Sequence, residues 1–195
     1  MAKIVLVTGG ARSGKSRFTE ELLLSKTDVC YIATGIGQLE DAEWQERVRL
    51  HRERRPQDWR TEERYSKIGE WILQQGVKQT YLLDCATMLI TNVLFETIGE
   101  LFPDKMMLED DHFLTKVEEK LLTKKIEEEW KHLLSAIRDR DSELYIVTNE
   151  IGLGVVPDNK LGRYFRDLLG NINQMLAKEA SEVYLVICGI SQRLK

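Results

Sequence analysis

Eight residues, Gly9-Gly10-Ala11-Arg12-Ser13-Gly14-Lys15-Ser16, have the types and spacing of a phosphate cradle. Glycines at 9 and 14 let backbone N–H groups converge on phosphate oxygens, and a following helix adds the positive end of its dipole. Lys15 then supplies a point charge to the β- and γ-phosphates of a nucleotide, and the Ser16 hydroxyl a ligand for Mg²⁺. The competing reading, a chance glycine-rich turn, is disfavoured by the apolar run before the loop and the helix-like segment after it. Asp84 closes the apolar run Tyr81-Leu82-Leu83-Asp84. An acid at a strand tip beside such a cradle suits the same Mg²⁺, although it also reads as an ordinary strand-end or helix-capping aspartate.

His51 is the second candidate. On a helix, Trp44, Val48, His51 and Arg55 share one stripe, with Arg47 one turn before the histidine. A neutral imidazole between guanidinium groups suits attack on phosphorus: the arginines neutralise phosphate oxygens and disfavour protonation of the ring. On residue pattern alone, a histidine on a solvated Arg/Glu-rich helix is the commoner reading. His112 and His132 lack such a setting and read as surface residues. Arg163 and Arg166 would line the same cleft and hold phosphates or a carboxylate, or Arg166 with Asp167 would form a surface pair.

The elements that must position these groups are five continuously apolar runs, at 3–8, 29–34, 80–85, 144–149 and 183–188. Apolar throughout rather than alternating, they read as parallel strands covered on both faces, and helical patterns separate them. The fold expected is α/β, an open and mostly parallel central sheet flanked by helices. Ligands of such sheets sit at the carboxyl ends of the strands, here Gly9–Ser16, Thr34–Gly37, Asp84, Asn149–Glu150 and Gly189. Residues 40–55 read as a charged helix ended by Pro56. Residues 113–140 read as a long amphipathic helix with Leu114, Val117, Leu121, Trp130, Leu133 and Ile137 on one face. One domain over 1–195, with a helical elaboration at about 99–140, is expected.

Composition narrows the function classes. The 195 residues are 43% hydrophobic and 31% charged, with a formal net charge of −4, so no global basic field favours nucleic acid or acidic lipid. The basic segment 47–55 with Trp44 and Trp59 forms no recognised stacking platform. Cys30, Cys85 and Cys188 form no CxxC pair and read as buried free thiols of a reducing compartment. No segment approaches membrane-spanning length, so a cytoplasmic protein without membrane insertion is expected.

Together the motifs resemble the bifunctional adenosylcobinamide kinase/adenosylcobinamide-phosphate guanylyltransferase family of coenzyme B12 synthesis. The likeness rests on GGARSGKSR at 9–17, YIATG at 31–35, RVRLHRERRPQDWRTEE at 47–63, LLDCATMLITN at 82–92, NEIGLGVVP at 149–157 and RYFRDLLGNINQMLA at 163–177. The resemblance implies a single P-loop NTPase domain of RecA-like type, assembled as a homotrimer. It implies phosphorylation of the aminopropanol hydroxyl of adenosylcobinamide by ATP or GTP, then transfer of GMP from GTP to the resulting phosphate through a guanylyl-histidine. That histidine would be His51, with Lys15 acting in catalysis. Nucleotide would contact Gly9, Gly10, Ala11, Arg12, Ser13, Gly14, Lys15 and Ser16, then Thr34, Gly35 and Ile36. Arg52, Glu53, Arg54, Arg55, Glu63 and Asp84 complete the implied nucleotide set. Ser16 and Asp84 would hold Mg²⁺, and no permanently bound cofactor is implied.

Three features depart from the family pattern. Leu50 precedes His51, Ala86-Thr87-Met88 follows Cys85 where a bulkier run is usual, and 99–125 is longer than the usual connection. The alternatives at this stage are a monofunctional P-loop kinase or NTPase in which His51 is structural, and a nucleotide-gated binding module.

Overall fold

The five apolar runs pair edge to edge in a computed structural model, which describes residues 2–35, 45–46, 49, 52–53, 55–76, 78–106 and 109–195. They form β1 (Lys3–Gly9), β2 (Val29–Ala33), β4 (Thr80–Asp84), β5 (Glu143–Asn149) and β6 (Glu182–Ile187), joined by β3 (Arg60–Glu63) and β7 (Ile190–Arg193). The strand order is β3-β2-β4-β5-β1-β6-β7. All neighbours are parallel except the β6–β7 hairpin. This mostly parallel sheet with flanking helices is an α/β fold consistent with the P-loop NTPase class.

Both faces of the sheet are covered, which is why its strands are apolar throughout. Ile4 and Leu6 of β1 point into the larger core, built with α2 (Ile68–Gln74), α3 (Ala86–Leu101), α4 (Lys116–Asp139) and α5 (Lys160–Glu179). Val5 and Val7 point the other way and pack with Leu23 of α1 (Lys15–Leu23) and with Tyr31, Trp59 and Leu82. The two strands beyond the five runs have weak signals. β3 reads Arg-Thr-Glu-Glu and is mostly exposed, held by its register with Cys30–Ala33. β7 is exposed along its length and follows a two-residue turn.

The long helix spans Lys116–Asp139, within the expected 113–140, and of the expected face Trp130, Leu133 and Ile137 turn inward while Val117 and Leu121 do not. Thr115 caps it, its hydroxyl accepting from Glu118 N at 3.4 Å while its N–H donates to the Glu118 carboxylate at 2.6 Å. The buried stripe is Leu122, Ile126, Trp130, Leu133, Leu134 and Ile137, whereas Val117 and Leu121 are exposed. Leu121 precedes Leu122 by one residue, about 100° around the helix, so including it rotates the inferred face. The 99–125 stretch is tied down at several points. Lys105 pairs with Glu118 at 2.6 Å, the Lys160 N–H donates to Asp110 Oδ1 at 2.8 Å, and Leu114 is buried. Of the cysteines only Cys30 is buried. Cys85 is half-buried and Cys188 is exposed, because it sits in the β6–β7 turn rather than inside the strand.

Candidate active site

The cradle forms because β1 ends against two neighbours that leave no room for a side chain. A Cβ on Gly9 would lie 2.4 Å from the Val186 carbonyl oxygen and 2.6 Å from Ser13 Oγ. Gly14 takes φ +94 as it opens α1, and a Cβ there would lie 3.1 Å from Gly189 Cα. Cys188 and Gly189 both have positive φ, the signature of the tight hairpin turn between the paired residues Ile187 and Ile190. From that turn the Gly189 N–H donates to the Ser13 carbonyl at 2.8 Å, and from β5 the Glu150 N–H donates to the Gly9 carbonyl at 3.0 Å. The loop is therefore braced from both sides.

Lys15 is 8% exposed and its ammonium donates to the Gly10 carbonyl at 3.0 Å. Burial lowers its pKa, while the Cys85 and Asp84 side chains pull the other way. The Asp84 carboxylate thus acts on the charge of the cradle lysine from the tip of β4, which lies across β5 from β1. Tyr31 donates its hydroxyl to Asp84 Oδ2 at 3.1 Å, and burial raises the tyrosine's own pKa well above the ordinary range. Across the Tyr31 ring lies the Arg55 guanidinium, 3.7 Å from the ring centre. Burial lowers the Arg55 pKa, and Tyr31 and the buried Glu20 of α1 oppose that shift.

The strand ends are pinned by side-chain hydrogen bonds. Thr34 is fully buried, with its hydroxyl donating to the Cys85 carbonyl at 2.7 Å and its own carbonyl receiving Asn92 Nδ2 at 2.8 Å. The Asp84–Cys85 peptide is cis. Asn149 donates to Thr87 Oγ1 through its N–H at 3.2 Å and its Nδ2 at 3.0 Å, and its carbonyl receives Asn173 Nδ2 at 3.0 Å.

Gly9 to Ser16, Asp84 and Arg55 are thus gathered at the carboxyl ends of β1, β2 and β4, and Thr34 leads into Gly35 beside them. Arg52 pairs with Glu63 at 2.6 Å, which joins two members of the expected nucleotide set. Glu53 pairs with Arg49 instead. Arg163 turns onto the Pro157 carbonyl at 2.9 Å, and Arg166 makes the surface pair with Asp167 at 3.1 Å. Both arginines are therefore engaged locally. His112 and His132 are exposed. His51, Ile36 and Arg54, with Trp44, Arg47, Val48 and most of the 40–55 helix, lie outside the described residues.

Two site residues escaped sequence reasoning. Tyr31 is concealed inside an apolar strand run. Glu20 had a usable signal, since it stands four residues after Ser16 and so on the same face of α1. Among the described residues no cluster of three or more His, Cys, Asp or Glu could cage a metal. Ser16 and Asp84 offer hard oxygen donors of the kind Mg²⁺ uses when substrate phosphates complete its shell. Among the described residues no helix is long and apolar enough to cross a membrane.

A profile of the family described as cobinamide kinase / cobinamide phosphate guanyltransferase matches residues 5–194. The "Bifunctional adenosylcobalamin biosynthesis protein CobU" of Escherichia coli strain K12 is 39% identical over 193 residues, covering 98% of this chain and 99% of that one. Its namesake from Salmonella typhimurium strain LT2 is 38% identical with the same coverage. The "Bifunctional adenosylcobalamin biosynthesis protein CobP" of Pseudomonas aeruginosa strain PAO1 is 33% identical over 97% of this chain and 96% of its own. The cradle, the acid at the tip of β4 and an end-to-end likeness to these proteins lead to one conclusion: this chain belongs to the cobinamide kinase / cobinamide phosphate guanyltransferase family of enzymes.

Proposed function

We propose that this enzyme carries out two successive transfers in coenzyme B12 synthesis, acting as a cytoplasmic homotrimer. The observation that carries the reading is the meeting of Lys15, Asp84 and Arg55 at the strand ends, with His51 four residues before Arg55. In the first transfer the aminopropanol hydroxyl of adenosylcobinamide attacks the γ-phosphorus of ATP or GTP. The bond to the bridging oxygen breaks, the nucleoside diphosphate leaves, and the hydroxyl proton passes to solvent or a nearby base. The cradle N–H groups and Lys15 hold the phosphates in line and offset their growing charge.

In the second transfer a ring nitrogen of His51 attacks the α-phosphorus of GTP and pyrophosphate leaves. An oxygen of adenosylcobinamide phosphate then displaces the histidine, forming adenosylcobinamide-GDP and restoring the imidazole. Mg²⁺ bound through Ser16 and Asp84 would screen phosphate charge in both transfers. Arg52 and Arg54 follow the nucleophile in sequence and bring positive charge to its segment, and Arg52 pairs with Glu63 at 2.6 Å.

The test is intact-mass measurement after incubation with Mg²⁺ and GTP and no corrinoid. An acid-labile gain equal to GMP in wild type, absent from His51→Ala, is the expected result. No adduct under conditions where GTP binds leaves a monofunctional kinase or NTPase.

A further inference from the structure

Tyr31 touches both Asp84 and Arg55. Its hydroxyl is bonded to Asp84, the acid that acts on the charge of the cradle lysine, and its ring carries the guanidinium of Arg55, four residues beyond His51. The tyrosine is 6% exposed and set in the smaller core with Val5, Val7 and Leu82, so its ring is held by rigid strands. Glu20, buried on α1, adds its charge on the same side, acting on both Arg55 and Tyr31. Two contacts of different kinds therefore meet on one side chain: a hydrogen bond that orients a carboxylate, and a cation–π contact that holds Arg55.

We propose that Tyr31 is a positioning residue that registers the segment bearing the nucleophilic histidine against the phosphate cradle, with Arg55 acting as its anchor. Arg55 is on this account a structural cation whose work is to fix where the segment ends, and Tyr31 sets the aim of Asp84 toward the nucleotide's cation. The proposal rests on the reading of Asp84 and His51 given above.

Substitutions at one position separate the two contacts. Tyr31→Phe keeps the ring under Arg55 and removes only the hydroxyl. The Mg²⁺-dependent gain in affinity for a non-hydrolysable GTP analogue, measured by calorimetry, should fall about tenfold, the weight of one hydrogen bond to a charged group. Binding of the analogue in EDTA should change by less than about twofold, as for a change outside the cradle itself.

Tyr31→Leu removes the ring as well. The rate at which this variant gains GMP should then fall about tenfold or more, beyond the loss in Tyr31→Phe, because the cation–π anchor is gone. Arg55→Lys keeps the charge but loses the planar stack, so it should slow the adduct in the same direction and serves if Tyr31→Leu does not fold.

Wild type run alongside separates the two levels of reading. No adduct in wild type overturns the functional assignment. Normal adduct in wild type, with a folded Tyr31→Leu or Arg55→Lys reacting at an undiminished rate, overturns the role given to Tyr31. Undiminished Mg²⁺ dependence in Tyr31→Phe overturns the Asp84 half of it.

Discussion

Gly9→Ala is the sharpest test of how the cradle is built. A single methyl there would sit 2.4 Å from a backbone carbonyl of β6 and 2.6 Å from Ser13 Oγ. The side chain of Ser13 can rotate, but the Val186 carbonyl belongs to a strand paired to β1 through Gly9 itself, so the sheet must part locally. Overpacking of this kind costs about 1–3 kcal/mol, offset by roughly 0.4–1 kcal/mol because alanine restricts the unfolded chain. The net loss, up to about 2.6 kcal/mol, corresponds to a melting temperature lower by up to roughly 10 °C for a chain of this size. Gly10→Ala is the control. Nothing lies within 4 Å of its added methyl, so its stability should stay within about 0.5 kcal/mol of wild type. Thermal unfolding followed by circular dichroism reads both variants, and titration with a fluorescent nucleotide reads the cradle. Nucleotide affinity of Gly9→Ala should fall at least about tenfold, since a shift of even half an ångström misaims several N–H donors at once. A Gly9→Ala protein that melts and binds like wild type would refute the reasoning that steric fit to β6 sets the loop.

Two further outcomes follow from charge. Burial lowers the Lys15 pKa, so below that folded pKa the ammonium is charged in both states and its desolvation cost is fully present. The cost is relieved as pH rises toward the ordinary 10.5. Lys15→Met should therefore melt no lower than wild type at neutral pH, with any gain shrinking at alkaline pH, yet lose about 10–100-fold in nucleotide affinity. Glu118 behaves in the opposite sense: the Lys105 ammonium and the Thr115 cap hold its carboxyl down to about 2. Its contribution is present above the ordinary 4.5 and is lost as pH falls toward 2, so Glu118→Gln should lower the urea midpoint at neutral pH and converge on wild type in acid.

The parallel sheet was legible because burial on both faces writes itself as unbroken apolar runs, and every such run became a strand. The cradle was legible because its glycines, lysine and serine are contiguous. What stayed hidden depends on contacts between distant residues. β3 carries charge and exposes most of its length, so only its pairing to β2 identifies it. Tyr31 and Asp84 are brought together by the β2–β4 register, which pairs Ala33 with Asp84. The Cys188–Gly189 turn carried one glycine and no Asn or Asp, and so offered little of the usual hairpin signal. The inner face of α4 was legible from Trp130 onward but not in its first turns, because apolar residues on adjacent positions, Leu121 and Leu122, admit two stripes and only packing chooses between them.

Several local rules are broken where the chemistry is expected, although Asp28, Lys67 and Asp141 also take positive φ elsewhere. Arg12 and Cys188 take positive φ without being glycine, Gly14 and Gly189 take it as glycines, and all four lie in the cradle or the turn bracing it. The same region buries an ammonium at Lys15 and a carboxylate at Glu20. Each feature opposes folding by itself, since left-handed backbone at ordinary residues and buried charge both raise the free energy of the native state. They persist because β1 is paired on both sides by parallel strands and its ends cannot relax independently. A weaker sheet would let the loop escape into ordinary turn geometry, and the N–H groups would no longer converge. The rigidity of the core and the aim of the cradle are therefore one property, so substitutions that loosen β6 against β1 should weaken nucleotide binding before they unfold the protein.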